Sequence, residues 1–265
     1  MMKNILYITI LFAAFCSCTK EIEFDYNDID PVPVIEGNLT TGNTEIKITK
    51  TRNMNDSVKT PGIMADNVTI LSSEGEEYVL DFQEDGIYRP SSAIDVRQGV
   101  VYTLKVTIDG VEYSASSSVE PTVEISEPKL LWINFVDWMQ IMEFESLNVP
   151  DNKESYAYAR IYRNGEIYWW GQSSFKGNSP FDIGLYYDSE MEMDEEMILH
   201  EGDNLVLEFR SVDCGVYTYL SELSSGNMNP SDFFTASKEG KKCLGYFSAY
   251  TSVKYEMQYH KTDHE

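Results

Sequence analysis

The chain has 265 residues, with 44 Asp and Glu against 20 Lys and Arg, a formal net charge of −24 at pH 7. That surplus repels phosphate backbones and anionic headgroups, which argues against nucleic acid as a partner and against electrostatic adsorption to a membrane. With 42% hydrophobic and 13% aromatic residues there is material for a real core, so one large or two medium folded domains are expected and disorder is not.

The first residues differ in kind from the rest. Lys3 is a short basic start, Ile5 to Phe15 is an apolar run, and small Ser17 precedes Cys18. This reads as a lipoprotein export signal over residues 1–17, too short to span a bilayer. Signal peptidases need small side chains before the cut, which favours Cys18 over Cys16, the neighbour of bulky Phe15. Cys18 is then the lipidation site and the first mature residue, held on the membrane by its acyl chains; the alternative is cleavage without a lipid. Residues 18–32 form an acidic tether whose start resembles the stretch that sends Bacteroidota lipoproteins to the cell surface. Removing residues 1–17 discards Lys3 and no acid, so the mature chain is one charge more negative.

Along the chain the pattern is mostly of period two. Ile46 and Ile48 alternate with Lys47 and Thr49, and Tyr102, Leu104, Val106 and Ile108 alternate with Thr103, Lys105 and Thr107, which predicts strands with one buried face. Asp109-Gly110 and Asn164-Gly165 sit between such runs and supply the positive φ angles of a type I′ hairpin; Glu74-Gly75 marks a third, with a longer loop allowed. Asp56-Ser57-Val58 matches a three-residue O-glycosylation signal. Short strands with regular turn signals predict a β-sandwich over residues 33–120, followed by a linker at 121–128 around Pro121 and Pro128. A second β-rich domain is expected over 129–260, with Leu205, Leu207 and Phe209 alternating and a tail at 261–265. Only Cys214 to Leu223 has helical spacing, with Val216, Tyr219, Leu220 and Leu223 on one side. The expected fold class is all-β: two sandwich-like units, Ig- or transthyretin-like, with one short helix.

Export leaves Cys214 and Cys243, and a lone pair in an oxidising compartment is most simply a disulfide, contributing about 3 kcal/mol by chain entropy. For catalysis the chain has His200, His260 and His264 but no HExxH, no GxSxG and no phosphate-cradling glycine loop, so it is not expected to be an enzyme. A carboxylate-dependent hydrolase is the residual enzymatic reading, because its acids cannot be told apart among so many.

Two clusters are candidate binding sites. Asp188, Glu190, Glu192, Asp194, Glu195 and Glu196, with Glu201 and Asp203 nearby, offer the hard oxygens Ca²⁺ requires, against the simpler reading of a solvated acidic loop. Met191, Met193, Met197 and His200 interleave with them and would suit Cu(I). The second cluster is aromatic: Tyr168, Trp169, Trp170, Tyr186 and Tyr187, with Trp132 and Trp138 on a neighbouring stretch. Trp169 and Trp170 are consecutive and must face opposite sides of a sheet, so one belongs to the core and the other is free to meet a sugar, a peptide or a partner.

Several short motifs occur in a recognisable order: Val34-Ile35-Glu36-Gly37-Asn38-Leu39-Thr40, Gly86-Ile87-Tyr88-Arg89, Gly99 to Val106, Tyr156 to Gly165, and Leu244 to Tyr250. With the lipobox they resemble the Bacteroidota domain-of-unknown-function family four-two-four-nine. The resemblance implies a lipoprotein partnered by a TonB-dependent outer-membrane barrel and carries no catalytic residue with it; the acidic start of the tether adds the expectation of an outer-membrane anchor with exposure at the cell surface. The functional expectation is a non-enzymatic accessory or ligand-capture component of an uptake system for a small nutrient, glycan or peptide, with a surface adhesion or structural module as the alternative.

Overall fold

The computed structural model describes residues 31–52, 61–132, 139–187, 198–227 and 230–260. The export signal with Cys18, the Asp56-Ser57-Val58 match, Trp138, the candidate calcium run from Asp188 to Glu196 and residues 261–265 lie outside the described residues, as does the side chain of Tyr187.

The first stretch forms β1 (Pro33–Leu39), β2 (Glu45–Lys50), β3 (Asn67–Ser72), β4 (Glu77–Phe82), β5 (Ile87–Pro90), β6 (Val101–Ile108) and β7 (Val111–Ser118). Next come β8 (Glu124–Ile125), β9 (Lys129–Trp132), β10 (Met139–Leu147), β11 (Ser155–Arg163), β12 (Glu166–Phe175), β13 (Pro180–Tyr187), β14 (Ile198–Leu199) and β15 (Asn204–Val212). Helix α1 (Cys214–Ser224) precedes β16 (Thr235–Ala236), β17 (Leu244–Ala249) and β18 (Thr251–Gln258). Among the described residues the protein is all-β with one helix and sandwich-like packing.

Turn chemistry sets the hairpins. Asp109 and Gly110 lie at φ 50° and 67°, and Asn164 and Gly165 at 52° and 92°, so both two-residue loops take the left-handed conformation that matches strand twist. In the β3–β4 hairpin only Gly75 has positive φ, and Ser72 N–H donates to Glu76 O at 2.8 Å, giving a three-residue loop. The period-two positions then bury as expected: Ile46, Ile48, Tyr102, Leu104 and Val106 are fully enclosed, each contributing about 1.5–3 kcal/mol by leaving water.

Nine strands form one sheet in the order β16-β7-β6-β3-β4-β5-β2-β1-β17. Its two ends approach each other, since Ala249 N–H on β17 donates to Ser117 Oγ on β7 at 2.9 Å. Around one further core, the sheet β14-β13-β10-β8, with β9 also on β10, faces the sheet β12-β11-β15-β18. The chain's last two strands are divided between these layers: β17 runs parallel to β1, and β18 runs antiparallel to β15. Phe247 and Ala249 thus join the core built from residues 35–119. The described residues belong to one compact unit.

Strands β1 and β17 carry two of the sequence motifs, paired from Val34↔Leu244 to Leu39↔Ala249. Glycine is needed on both sides of that seam. A Cβ on Gly245, at φ +105°, would lie 1.9 Å from the Ile35 carbonyl oxygen, and one on Gly37 would meet Phe247 at 2.8 Å.

The expected disulfide is not formed; Cys214 and Cys243 are free thiols. Cys243 is buried in the first core, where it packs as a small hydrophobe and donates to Leu244 O at 3.1 Å. Cys214 is the exposed first residue of α1, with Sγ 3.9 Å from Thr218 Oγ1. Burial pushes the Cys243 thiol up to about 12. The helix itself buries Val216, Tyr219 and Leu220, while Leu223 in its last turn stays exposed.

Candidate functional site

Where the first sheet meets the second layer the surface opens into a crevice of about 770 Å³. Its walls are the end of β7, the segment 120–123, the loop 147–155 after β10, and the start of α1. Val101, Pro121, Val123, Leu147, Val149 and Pro150 supply the apolar surface.

Asp213 organises this junction. It is the N-cap of α1, its Oδ1 accepting from Val216 N–H at 3.0 Å, which satisfies one of the donors a helix start leaves open. Its Oδ2 accepts from Ser118 N–H at 3.2 Å and from the Ser117 hydroxyl. One carboxylate therefore ties the helix to β7, and through Ser117 to β17. Nearby, Ser211 Oγ accepts from Val123 N–H at 2.8 Å, and Glu120 pairs with Lys153 at 2.9 Å while accepting from the Ser118 hydroxyl at 3.0 Å.

Tyr156 forms one wall, its ring 5.0 Å from that of Tyr217. A hydrogen bond with the Cys214 thiol, together with burial, pushes its phenol up to about 12. It is a neutral hydrogen-bonding group at physiological pH. The lining contains Glu120, Glu154 and Asp213 against Lys153, so its formal balance is acidic, and it contains no histidine. Such a surface suits a neutral or cationic ligand with an apolar body and a few polar atoms.

The aromatic cluster is divided by a β-bulge. The β11–β12 register pairs Ile161 with Trp169 but Tyr162 with Ile167, leaving Tyr168 as the extra residue. Tyr168 and Trp169 therefore both pack toward the second core, whereas Ile167 and Trp170 face outward, 54% and 41% exposed. Tyr168 is fixed to β13 by a reciprocal pair, its hydroxyl accepting from Tyr186 N–H at 3.1 Å and donating to Tyr186 O at 3.4 Å. Burial raises the Tyr168 phenol. Of the five aromatic residues singled out from the sequence, Trp170 is the one presented to solvent among those whose side chains are described. Trp132 also packs against the second core.

Behind Trp170 the same sheet face holds a buried ionic group that sequence patterning does not single out. Arg210 donates to Glu208 through Nε at 2.9 Å and Nη2 at 2.6 Å, to Asn38 Oδ1 at 3.0 Å and to Tyr162 Oη at 3.2 Å. The Tyr250 ring lies 4.3 Å from its guanidinium. Burial alone would raise the Glu208 carboxyl, but Arg210 and then Lys254 beside it hold it below the usual carboxylate range. The signal was a charged Glu-x-Arg on one face of an otherwise apolar strand, Leu205 to Val212.

Among the described residues no group of three or more His, Cys, Asp or Glu is placed to hold a metal ion, and no helix is long and apolar enough to cross a membrane. His260 Nδ1 sits 2.7 Å from Glu201 at the surface. Comparison with known proteins returns the profile of one family, described as Domain of unknown function (DUF4249), matching residues 19–256. No curated protein matches the chain.

Proposed function

The chain belongs to the DUF4249 family, and on that premise we propose that it is a lipid-anchored outer-membrane protein that captures a small ligand in the crevice beside Asp213. The crevice carries the reading. At about 770 Å³ it falls within the roughly 300–1,000 Å³ range of small-molecule sites, and it combines apolar walls with a few fixed polar groups. Its best-placed carboxylate, Asp213, already accepts from three donors. That occupancy favours holding the site's shape over moving protons, and so favours capture over catalysis.

Acylated Cys18 confines the protein to the membrane, and the short acidic tether keeps the folded part near it. Confinement raises its effective concentration beside any membrane partner, which is what an accessory of a TonB-dependent barrel requires. The −24 charge works with the lipid: attachment comes from acyl chains, and repulsion holds the folded part off an anionic surface.

Three measurements test this. A detergent pull-down from native membranes is expected to recover a transporter barrel, and Cys18→Ala is expected to release the protein to the soluble fraction. Native mass spectrometry of protein taken from cells is expected to show a bound small molecule that Val149→Asp removes. Retention of Cys18→Ala in the pellet removes the anchor, absence of a barrel favours the adhesion module, and an empty protein removes capture.

A further inference from the structure

Strands β12, β11, β15 and β18 form a sheet whose inner face packs on the second core. On the outer face, cross-strand partners bring Trp170 beside Arg160, Arg160 beside Glu208, and Glu208 beside Lys254. Helix α1 covers only one end of this face, where Gln172 donates to Ser224 Oγ at 2.6 Å and Val216, Tyr219 and Leu220 pack beside Tyr158. Toward the Asn164-Gly165 hairpin Ile167 and Trp170 are left uncovered.

Two of this face's three cations, Arg210 and Lys254, share the Glu208 carboxylate, at 2.6 Å and 3.2 Å. Among the described residues no carboxylate makes an ion pair with Arg160. Its partners are phenols: Tyr246 Oη at 3.2 Å, Tyr162 Oη at 3.5 Å, and the Tyr158 ring 4.8 Å from the guanidinium. Its Nε is buried without a hydrogen-bond partner. Burial pushes Tyr246 up to about 12, so that phenol stays neutral and gives no counter-charge. A guanidinium with no carboxylate partner among the described residues is thus held in place by aromatic rings beside an exposed indole; Trp170 packs edge-on to the same Tyr158 ring at 6.0 Å.

We propose that this face, centred on Arg160 and Trp170, is a second binding site, distinct from the crevice, for a carboxylate carried on a ring whose face can stack on an indole. The ring lies on the Trp170 indole, and the carboxylate supplies the anion Arg160 lacks. The guanidinium fork suits a carboxylate's two oxygens, and a flat sheet face with one exposed aromatic suits a ring better than an extended peptide, which needs an edge or a groove.

The test is calorimetric titration of the full-length, detergent-solubilised protein with oligogalacturonate, with a neutral galactose oligomer of the same length, and with phenylacetate. Binding of at least one acid and not of the neutral oligomer is expected. Oligogalacturonate alone identifies an acidic sugar, phenylacetate alone an aromatic acid, and both the shared chemistry. Trp170→Ala is expected to weaken binding about tenfold by removing the stacking surface, and Arg160→Gln to weaken it further. Lys153→Ala, in the crevice, is expected to leave it unchanged. Should Arg160→Gln fail to fold, exposed Trp170 still decides the matter. Failure of both acids to bind, equal binding of the neutral oligomer, or affinity unmoved by Trp170→Ala overturns the proposal without touching the crevice reading.

Discussion

The crevice and the outer face of the four-stranded sheet solve the same problem, a polar group set among apolar surfaces, in opposite ways. In the crevice Asp213 has all the donors it needs, and the acidic lining leaves shape and apolar area to recognise a ligand. On the sheet face Glu208 is saturated too, but by two cations at once, and Arg160 is left with neutral partners. Satisfied polar groups make a scaffold, whereas a fixed charge lacking its counter-ion makes a recognition element. The contrast teaches which buried charges to suspect of function.

The largest effect that bears on this contrast is expected from Glu208→Gln. Removing the shared carboxylate leaves Arg210 buried without its anion, at a cost of about 3–5 kcal/mol at pH 7. Because the folded carboxyl titrates below its unfolded value, its stabilisation is present above the unfolded pKa of about 4.3 and is lost as pH falls through the lower folded value. Denaturant titrations of the wild type and Glu208→Gln should therefore differ near neutrality and converge as pH falls through that lower folded value. A gap that persists at low pH would show that Glu208 acts through packing rather than charge.

Trp169 and Trp170 come next, as an internal control one residue apart. Trp169→Ala empties a position packed on the second core and is expected to cost about 3 kcal/mol, while Trp170→Ala is expected to cost less than about 1 kcal/mol. Equal losses in thermal or chemical unfolding would place Trp170 in the scaffold and remove it from recognition. On the crevice side, Asp213→Ala gives up the helix cap and the bonds to β7, about 2 kcal/mol in all. Asp213→Asn, which keeps the cap acceptor, should recover part of that loss.

The smallest effect is chemical. Alkylation mapped by mass spectrometry should label Cys214 in the native protein and Cys243 only after unfolding, because Cys243 is enclosed in the core and its thiol is pushed up to about 12. Simultaneous protection of both would indicate a bridge and a rearranged crevice wall.

Much of this architecture is legible in the chain because its causes are local. Period-two alternation at Tyr102, Leu104, Val106 and Ile108 buries one strand face whatever the partner strand, and Asp109-Gly110 and Asn164-Gly165 take positive φ because few other residues do so cheaply. Alternation also separates Trp169 from Trp170. It does not foresee the bulge opposite Ile161 and Tyr162, which turns Tyr168 to the same side as Trp169, since a bulge belongs to the pairing of two strands and to neither alone. Nor does cysteine count foresee geometry: Cys214 and Cys243 are the remaining pair in number, but one opens a helix at the surface and the other fills a core.

Sequence alone thus established an all-β protein with one helix, its hairpins, and the family whose motifs it carries. Those properties depend on side-chain volume, polarity and φ preference over a few neighbouring residues. The assembly decided the rest: that the Val34–Thr40 and Leu244–Tyr250 motifs lie side by side, that Asp213 bridges a helix to β7, and that among the described residues no carboxylate pairs with Arg160. A count of charges fixes the net field of a molecule, but the partner of each charge is set by which distant strands are brought into register, and that is a property of packing.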